Sequence, residues 1–185
     1  MDKTRPVEVE LLKRAQEVMR EILKDEKLAA KFDMDTWGNV TSKRPTLKCA
    51  TAACALGSLA LSKKFPGLKA EIQSGLQVEE WSSEHLGYIP AKKPSYRILI
   101  THVDKNGNNR YDEYAAEAYF NIPEMVATNL FYATEYKNET GPEAIKEFLA
   151  KLKDVISDAI VFNKELAKKK PAYKTRGFKD LNEND

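Results

Sequence analysis

Long apolar runs and a surplus of charge are both missing from this chain, and each absence excludes a class of protein. No run approaches the ~20 apolar residues needed to cross a bilayer, and residues 1–6 lack the apolar core of a secretory signal. We therefore expect a cytoplasmic protein with no membrane partner. The 30 basic and 28 acidic residues leave a net charge of +2, so the overall field does not favour nucleic acid as a partner.

Cysteine and histidine are scarce as well, with two residues of each. In a reducing compartment Cys49 and Cys54 are expected to be thiols rather than a disulfide. On a continuous helix, residues five apart point about 140° away from each other, so the two could pair only if Cys49 precedes the helix. A zinc site built from both cysteines with His85 and His102 departs from the usual ligand spacing. We predict no metal and no cofactor.

What the sequence does contain is the material of one well-cored domain. Its 42% hydrophobic and 31% charged residues are ordinary globular composition. Apolar residues spaced three and four apart predict helices over 7–32, 49–64, 111–120, 123–132 and 142–167. Residues 68–103 are rich in β-branched and aromatic residues and predict two or three strands, of which Tyr96–Val103 is the clearest.

The predicted fold class is therefore α+β. We expect a mostly helical single domain over residues 1–167, with a small antiparallel sheet inserted between helices. The sheet would lie between the second and third helices, and residues 33–48 would form a loop before the second helix. Residues 168–185 lose the apolar periodicity and are expected to form a mobile tail.

The most distinctive segment is Cys49–Gly57, which holds both cysteines. A thiol near a helix N-terminus is stabilised as thiolate by unpaired N–H groups, so Cys54 could act as a nucleophile with His102 as its base. No local motif of the cysteine hydrolases surrounds Cys54, and its alanine-rich neighbours favour a small packed side chain. The segment thus favours a buried helix start, and a thiol-dependent enzyme using Cys54 is the alternative.

Residues 104–112 open like a calcium-binding loop, with oxygen ligands at Asp104, Asn106 and Asn108. An EF-hand needs Gly at the sixth place and a bidentate Glu at the twelfth, and these places hold Asn109 and Ala115. Loss of the strongest ligand favours a polar turn that leads into the next helix. Calcium binding through this loop stays a second alternative.

Several segments, in the same order along the chain, resemble an uncharacterised family of bacterial and bacteriophage proteins. They are residues 32–38, 49–57, 115–122 with 130–132, and 142–145. Members of that family carry the motif C-G-T-x-x-C-x-x-G, which residues 49–57 match except that Ala50 replaces the Gly. The resemblance brings no catalytic residues. It implies a bacterial or bacteriophage setting, in which small proteins often bind a host component or a small signal molecule.

Binding is accordingly favoured over catalysis. Helix N-termini and nearby Arg or Lys side chains suit anions, so the predicted ligand is a host protein or a small anionic, nucleotide-like molecule. Aromatic residues are enriched in binding sites. We predict Trp37, Thr51 and Arg97 as ligand-binding residues, on the face built from the 33–48 loop and the start of the Cys49 helix.

Overall fold

The computed structural model describes residues 4–41, 46–47, 50–77, 79–82, 87–90 and 96–169. In these ranges the helices are α1 (Val9–Lys24), α2 (Glu26–Ala29), α3 (Ala55–Leu61), α4 (Asp112–Phe120), α5 (Glu124–Phe131) and α6 (Gly141–Lys169). The strands are β1 (Asn39–Val40), β2 (Ala50–Ala52), β3 (Lys69–Gln77), β4 (Glu79–Ser82), β5 (Gly87–Pro90), β6 (Tyr96–Val103) and β7 (Asn109–Tyr111). A 3-10 turn, Ala133–Glu135, connects α5 to α6.

Strand β6 organises an antiparallel sheet of five strands. The order is β2-β1-β6-β3, and β7 pairs with the far end of β6. Ile98 and Ile100 of β6 are buried and Arg97 is exposed, as the two-residue period of a half-buried strand requires. Strands β4 and β5 form a separate hairpin. These elements confirm the α+β class and the strand predicted at Tyr96–Val103.

The two longest helices, α1 and α6, pack against each other. Leu12 and Met19 of α1 and Phe148 and Leu152 of α6 are fully buried, so each helix buries one apolar face as its periodicity predicts. Helix α1 ends earlier than predicted. The carboxylate of Asp25 accepts hydrogen bonds from the backbone N–H groups of residues 27 and 28 and thereby starts α2 as a separate turn.

The prediction of one helix over residues 49–64 is wrong at its beginning. Ala50–Ala52 form β2, whose backbone pairs with Asn39 and Val40 of β1. Helix α3 begins only at Ala55, with Cys54 as its N-cap residue. The predicted 33–48 loop therefore contains a strand, and the sheet gathers strands from before α3 as well as after it. Pairing with β1 outweighs the helix propensity of the alanines, which is a weak local preference.

The C-terminal boundary also differs slightly from the prediction. Helix α6 continues through Lys169, past the predicted domain boundary at residue 167. The remainder of the predicted tail, residues 170–185, lies outside the described residues. Within the described part of the chain, no helix combines the length and the apolar character that crossing a membrane requires.

Candidate functional site

Residues 31–38, named here the Trp37 loop, run between two other segments of the chain. On one side the N–H of Asp33 donates to the carbonyl of Ala53 at 3.1 Å, and the N–H of Ala53 donates to the carbonyl of Lys31 at 3.1 Å. On the other side Met34 N–H donates to the Glu139 carbonyl at 2.7 Å. Backbone hydrogen bonds on both sides hold the loop in one conformation although it contains no regular helix or long strand.

The Trp37 loop packs against the start of α3. Backbone N–H of Cys54 donates to the carbonyl of Thr36 at 2.8 Å, and its thiol lies 3.9 Å from the carbonyl oxygen of Trp37. The N–H of Gly57 in turn donates to the Cys54 sulfur at 3.4 Å. A Cβ atom at Gly57 would lie 1.6 Å from the Trp37 carbonyl oxygen, so only glycine allows the loop to approach the helix this closely.

The loop presents Trp37 to the end of α5. The Trp37 and Tyr132 rings meet edge to face, with centroids 6.0 Å apart. Beside them is a cavity of about 100 Å3, named here the Trp37 cavity, and its walls come from the Trp37 loop and from the segment that ends α5. The lining residues are Met34, Asp35, Thr36, Trp37, Phe131, Tyr132 and Ala133.

Exposure and charge distinguish the two ends of this cavity. Phe131 is 1% exposed and closes the inner end, whereas Tyr132 is 43% exposed at the surface. Asp35 is exposed, and its backbone N–H donates to the carboxylate of Asp33 at 3.0 Å in a local turn. Among the described residues of the lining, Asp35 is the one charged side chain, so the cavity combines aromatic rings with a negative charge.

The predicted ligand residues do not all reach the Trp37 cavity. Arg97 is exposed on β6, where its backbone pairs with Asn39 of β1, and it does not line the cavity. Thr51 lies in β2, on the opposite side of β1. The sheet thus brings the backbones of Thr51 and Arg97 to strands that flank β1, just after Trp37 in the chain.

Cys54 has the environment of a packed residue rather than of a nucleophile. It is 0% exposed, and burial raises the pKa of its thiol to about 12, even though the N–H groups of Gly57 and Leu56 act in the opposite direction. A catalytic thiol needs a lowered pKa and access to substrate. The contacts of the sulfur are with Trp37 and Gly57, and neither is a histidine. Cys49 and His85 lie outside the described residues.

His102, the base in the thiol alternative, is engaged elsewhere. Its Nδ1 lies 2.9 Å from the carbonyl oxygen of Gly67, and its ring packs edge-on against Tyr119 with centroids 5.1 Å apart. These contacts give the imidazole a structural role beside β3 and α4. The arrangement offers no support for a Cys54–His102 pair.

We expect the Cys54 thiol to resist alkylation in the folded protein. With its pKa near 12 instead of 9.0, the thiolate fraction at pH 8 falls by roughly 1000-fold, before steric protection is counted. The measurement is the rate of iodoacetamide labelling in a Cys49→Ser background, followed by mass spectrometry with and without 8 M urea. Equal labelling rates with and without urea would contradict the burial of the thiol and would support the thiol-dependent enzyme instead.

The loop of the calcium alternative, residues 104–108, is closed by its own hydrogen bonds. One oxygen of the Asp104 carboxylate accepts from the N–H groups of Asn106 and Asn108 at 2.8 and 3.0 Å, and the other accepts from Nε of Arg110 at 2.9 Å. These partners, with the Asn108 N–H contributing most, lower the pKa of Asp104 to about 2. A guanidinium group beside the carboxylate repels a divalent cation.

The rest of the candidate calcium ligands are no better placed. Among the residues that the structure describes, no group of three or more His, Cys, Asp or Glu side chains could hold a metal ion. The side-chain nitrogen of Asn108 points to the Asp104 carboxylate at 3.5 Å, and Asn106 is exposed. The geometry is that of a polar turn, as the sequence favours, but the turn connects β6 to β7, and α4 begins only after that strand.

Three residues of the Trp37 cavity, Phe131, Tyr132 and Ala133, were not predicted from the sequence. Phe131 and Tyr132 end the predicted helix over 123–132, where an apolar pattern indicates ordinary core residues. The one feature that distinguishes them is their position at the end of a helix, since Tyr132 is the first residue after α5.

Comparisons of the chain with family models, with curated proteins and with solved structures find no match.

Proposed function

We propose that the protein is a small binding protein of bacterial or bacteriophage setting that engages a host protein, and that the Trp37 cavity takes a lysine or arginine side chain of that partner. The observation that carries the proposal is the edge-to-face pair of Trp37 and Tyr132 in a cavity that Asp35 also lines. An aromatic face attracts a cation through its quadrupole, and a carboxylate adds a charge-assisted hydrogen bond.

Size supports a side-chain head group over a whole small molecule. A cavity of about 100 Å3 corresponds to roughly three waters at ~30 Å3 each, whereas drug-sized ligands occupy ~300–1,000 Å3. An ammonium or guanidinium group is small enough to enter. The negative charge of Asp35 disfavours the anionic, nucleotide-like ligand that the sequence predicts at Trp37.

Rigidity of the Trp37 loop adds to the support. Its backbone is held by Ala53 and Glu139, and its Trp37 carbonyl rests on the start of α3. A preformed aromatic wall loses little conformational entropy when a ligand binds, so even a shallow cavity can contribute measurable affinity.

The expected result is selective binding of a lysine peptide over an uncharged analogue of the same shape. The probes are acetyl-Gly-Lys-Gly-amide and acetyl-Gly-norleucine-Gly-amide, titrated while Trp37 fluorescence is recorded in a Trp81→Phe background. We expect Asp35→Asn to weaken binding of the lysine peptide by about fivefold, equivalent to about 1 kcal/mol. Tyr132→Leu should weaken it to a similar degree, since it removes one aromatic edge.

The matched control is Asp158→Asn, which removes an exposed carboxylate from α6, away from the cavity lining. It should bind the lysine peptide as the parent does. Equal affinity for the two peptides, an unchanged affinity in Asp35→Asn, or no saturation with the lysine peptide would each rule out the Trp37 cavity as a cation site.

A further inference from the structure

A second cavity, named here the Arg110 cavity, has the opposite electrostatic character. Its volume is about 270 Å3, and it lies where the 104–108 loop, α4 and the chain before α1 meet. Three cationic side chains, Arg5, Lys105 and Arg110, line it against two carboxylates, Asp104 and Glu117. Tyr114, 46% exposed, adds an aromatic ring and a hydroxyl group.

Arg110 is held in place by the 104–108 loop, for which calcium binding was the alternative to a polar turn. The Asp104 carboxylate accepts a hydrogen bond from Arg110 Nε at 2.9 Å. It also accepts hydrogen bonds from the backbone N–H groups of Asn106 and Asn108. The charge of Asp104 is thus already compensated within the protein. The bond to Asp104 uses Nε and not the two terminal nitrogens of Arg110, and the side chain is 44% exposed. A guanidinium that is positioned through Nε can direct its terminal N–H groups to an oxyanion.

The C-terminal end of α4 holds the backbone of Arg5 beside the same cavity. Asn121 closes α4 in the left-handed conformation, with φ of 50°, and its side chain is buried. The Nδ2 atom of Asn121 donates to the carbonyls of Arg5 and Pro6 at 3.1 and 3.0 Å. These bonds fix the backbone of Arg5 beside α4, while its guanidinium makes only a long 3.5 Å contact with Glu8.

We propose that the Arg110 cavity binds the phosphate group of a small phosphorylated metabolite. Arg5 and Arg110 contact the phosphate oxygens from two sides, and the rest of the cavity leaves space for the organic part beside Tyr114. Asp104 holds the side chain of Arg110 and Asn121 holds the backbone of Arg5, so on binding only the Arg5 side chain has to become ordered. The site differs from the Trp37 cavity in location and in charge, so it does not depend on the proposed function.

The experiment compares inorganic phosphate with AMP by isothermal titration calorimetry on the full chain in 150 mM NaCl. We expect saturable binding of AMP with a Kd below about 1 mM, and at least about tenfold weaker binding in Arg5→Gln and in Arg110→Gln. The control Arg20→Gln removes an exposed cation of α1 that does not line the cavity and should bind as the parent does.

The comparison of AMP with inorganic phosphate distinguishes a phosphorylated metabolite from free phosphate as the ligand. Tighter binding of AMP than of inorganic phosphate supports a phosphorylated metabolite, and equal binding of the two would overturn the part of the proposal that concerns an organic ligand. Arg110→Gln could loosen the 104–108 loop, which Arg5→Gln leaves intact. Parent-like affinity in Arg5→Gln, an equal loss in Arg20→Gln, or no saturation with either probe would overturn the site. Asp35→Asn should leave AMP binding unchanged whatever the outcome at the Trp37 cavity.

Discussion

Gly57→Ala should lower the free energy of unfolding by about 3 kcal/mol, the upper part of the range for overpacked sites. The added Cβ would lie 1.6 Å from the Trp37 carbonyl oxygen and 2.8 Å from the carbonyl carbon, both backbone atoms that no side-chain rotation can move aside. Either α3 or the Trp37 loop must shift. In an ordinary helix the same substitution stabilises by about 1 kcal/mol, so the sign of the change is diagnostic.

Thermal unfolding followed by circular dichroism measures this effect, with an expected fall in Tm of roughly 6–12 °C at 2–4 °C per kcal/mol. Gly141→Ala is the matched control. Gly141 has a φ of 71° and nothing within 4 Å of the added Cβ, so the substitution there tests backbone strain without a clash and should cost about 1–2 kcal/mol. A Tm for Gly57→Ala at or above that of the parent would show that the Trp37 carbonyl does not pack against Gly57 of α3.

Phe131→Ala should be at least as damaging, with an expected loss of about 3–5 kcal/mol. Phe131 is 1% exposed and lies in the middle of a row of rings. It stacks on Phe120 with centroids 6.0 Å apart and contacts Phe148 at 5.8 Å, so it joins α4, α5 and α6. Truncation leaves a void among three helices and opens the inner end of the Trp37 cavity.

The measurement is the midpoint of urea unfolding, and the control on the same helix is Met125→Ala. Met125 is 74% exposed and should change stability by less than about 0.5 kcal/mol. Phe131→Leu keeps an apolar side chain but loses the ring contacts, so it should fall between the two. If Phe131→Ala were as mild as Met125→Ala, the aromatic row would not form the core between these helices.

Local patterns predicted the elements that bury a continuous apolar face. The strand at Tyr96–Val103 and the long C-terminal helix agree with the structure because each repeats its own period over many residues. Cys54 was predicted as a buried helix start, and the structure has it buried as the N-cap of α3. The helix itself begins later than predicted, since Ala50–Ala52 pair with β1 instead.

What local patterns missed are features that depend on partners far away in the chain. Strand β1 has two residues and no strand pattern of its own, and it exists because β2 and β6 pair with it on both sides. The calcium-like spacing at Asp104, Asn106 and Asn108 could not reveal that Arg110 satisfies the carboxylate. Pattern matching counts possible ligands but does not show which of them the protein already uses.

The sequence by itself determined the class of the fold, the apolar faces of α1 and α6, and the burial of Cys54. These follow from hydrophobic periodicity, which is a local property of the chain. Only the tertiary structure decided where the cavities lie and what charge they carry. Trp37 and Tyr132 are far apart in the chain, as are Arg5 and Arg110. The first two rings touch and the two arginines line one cavity because distant backbone segments are held together by hydrogen bonds and close packing.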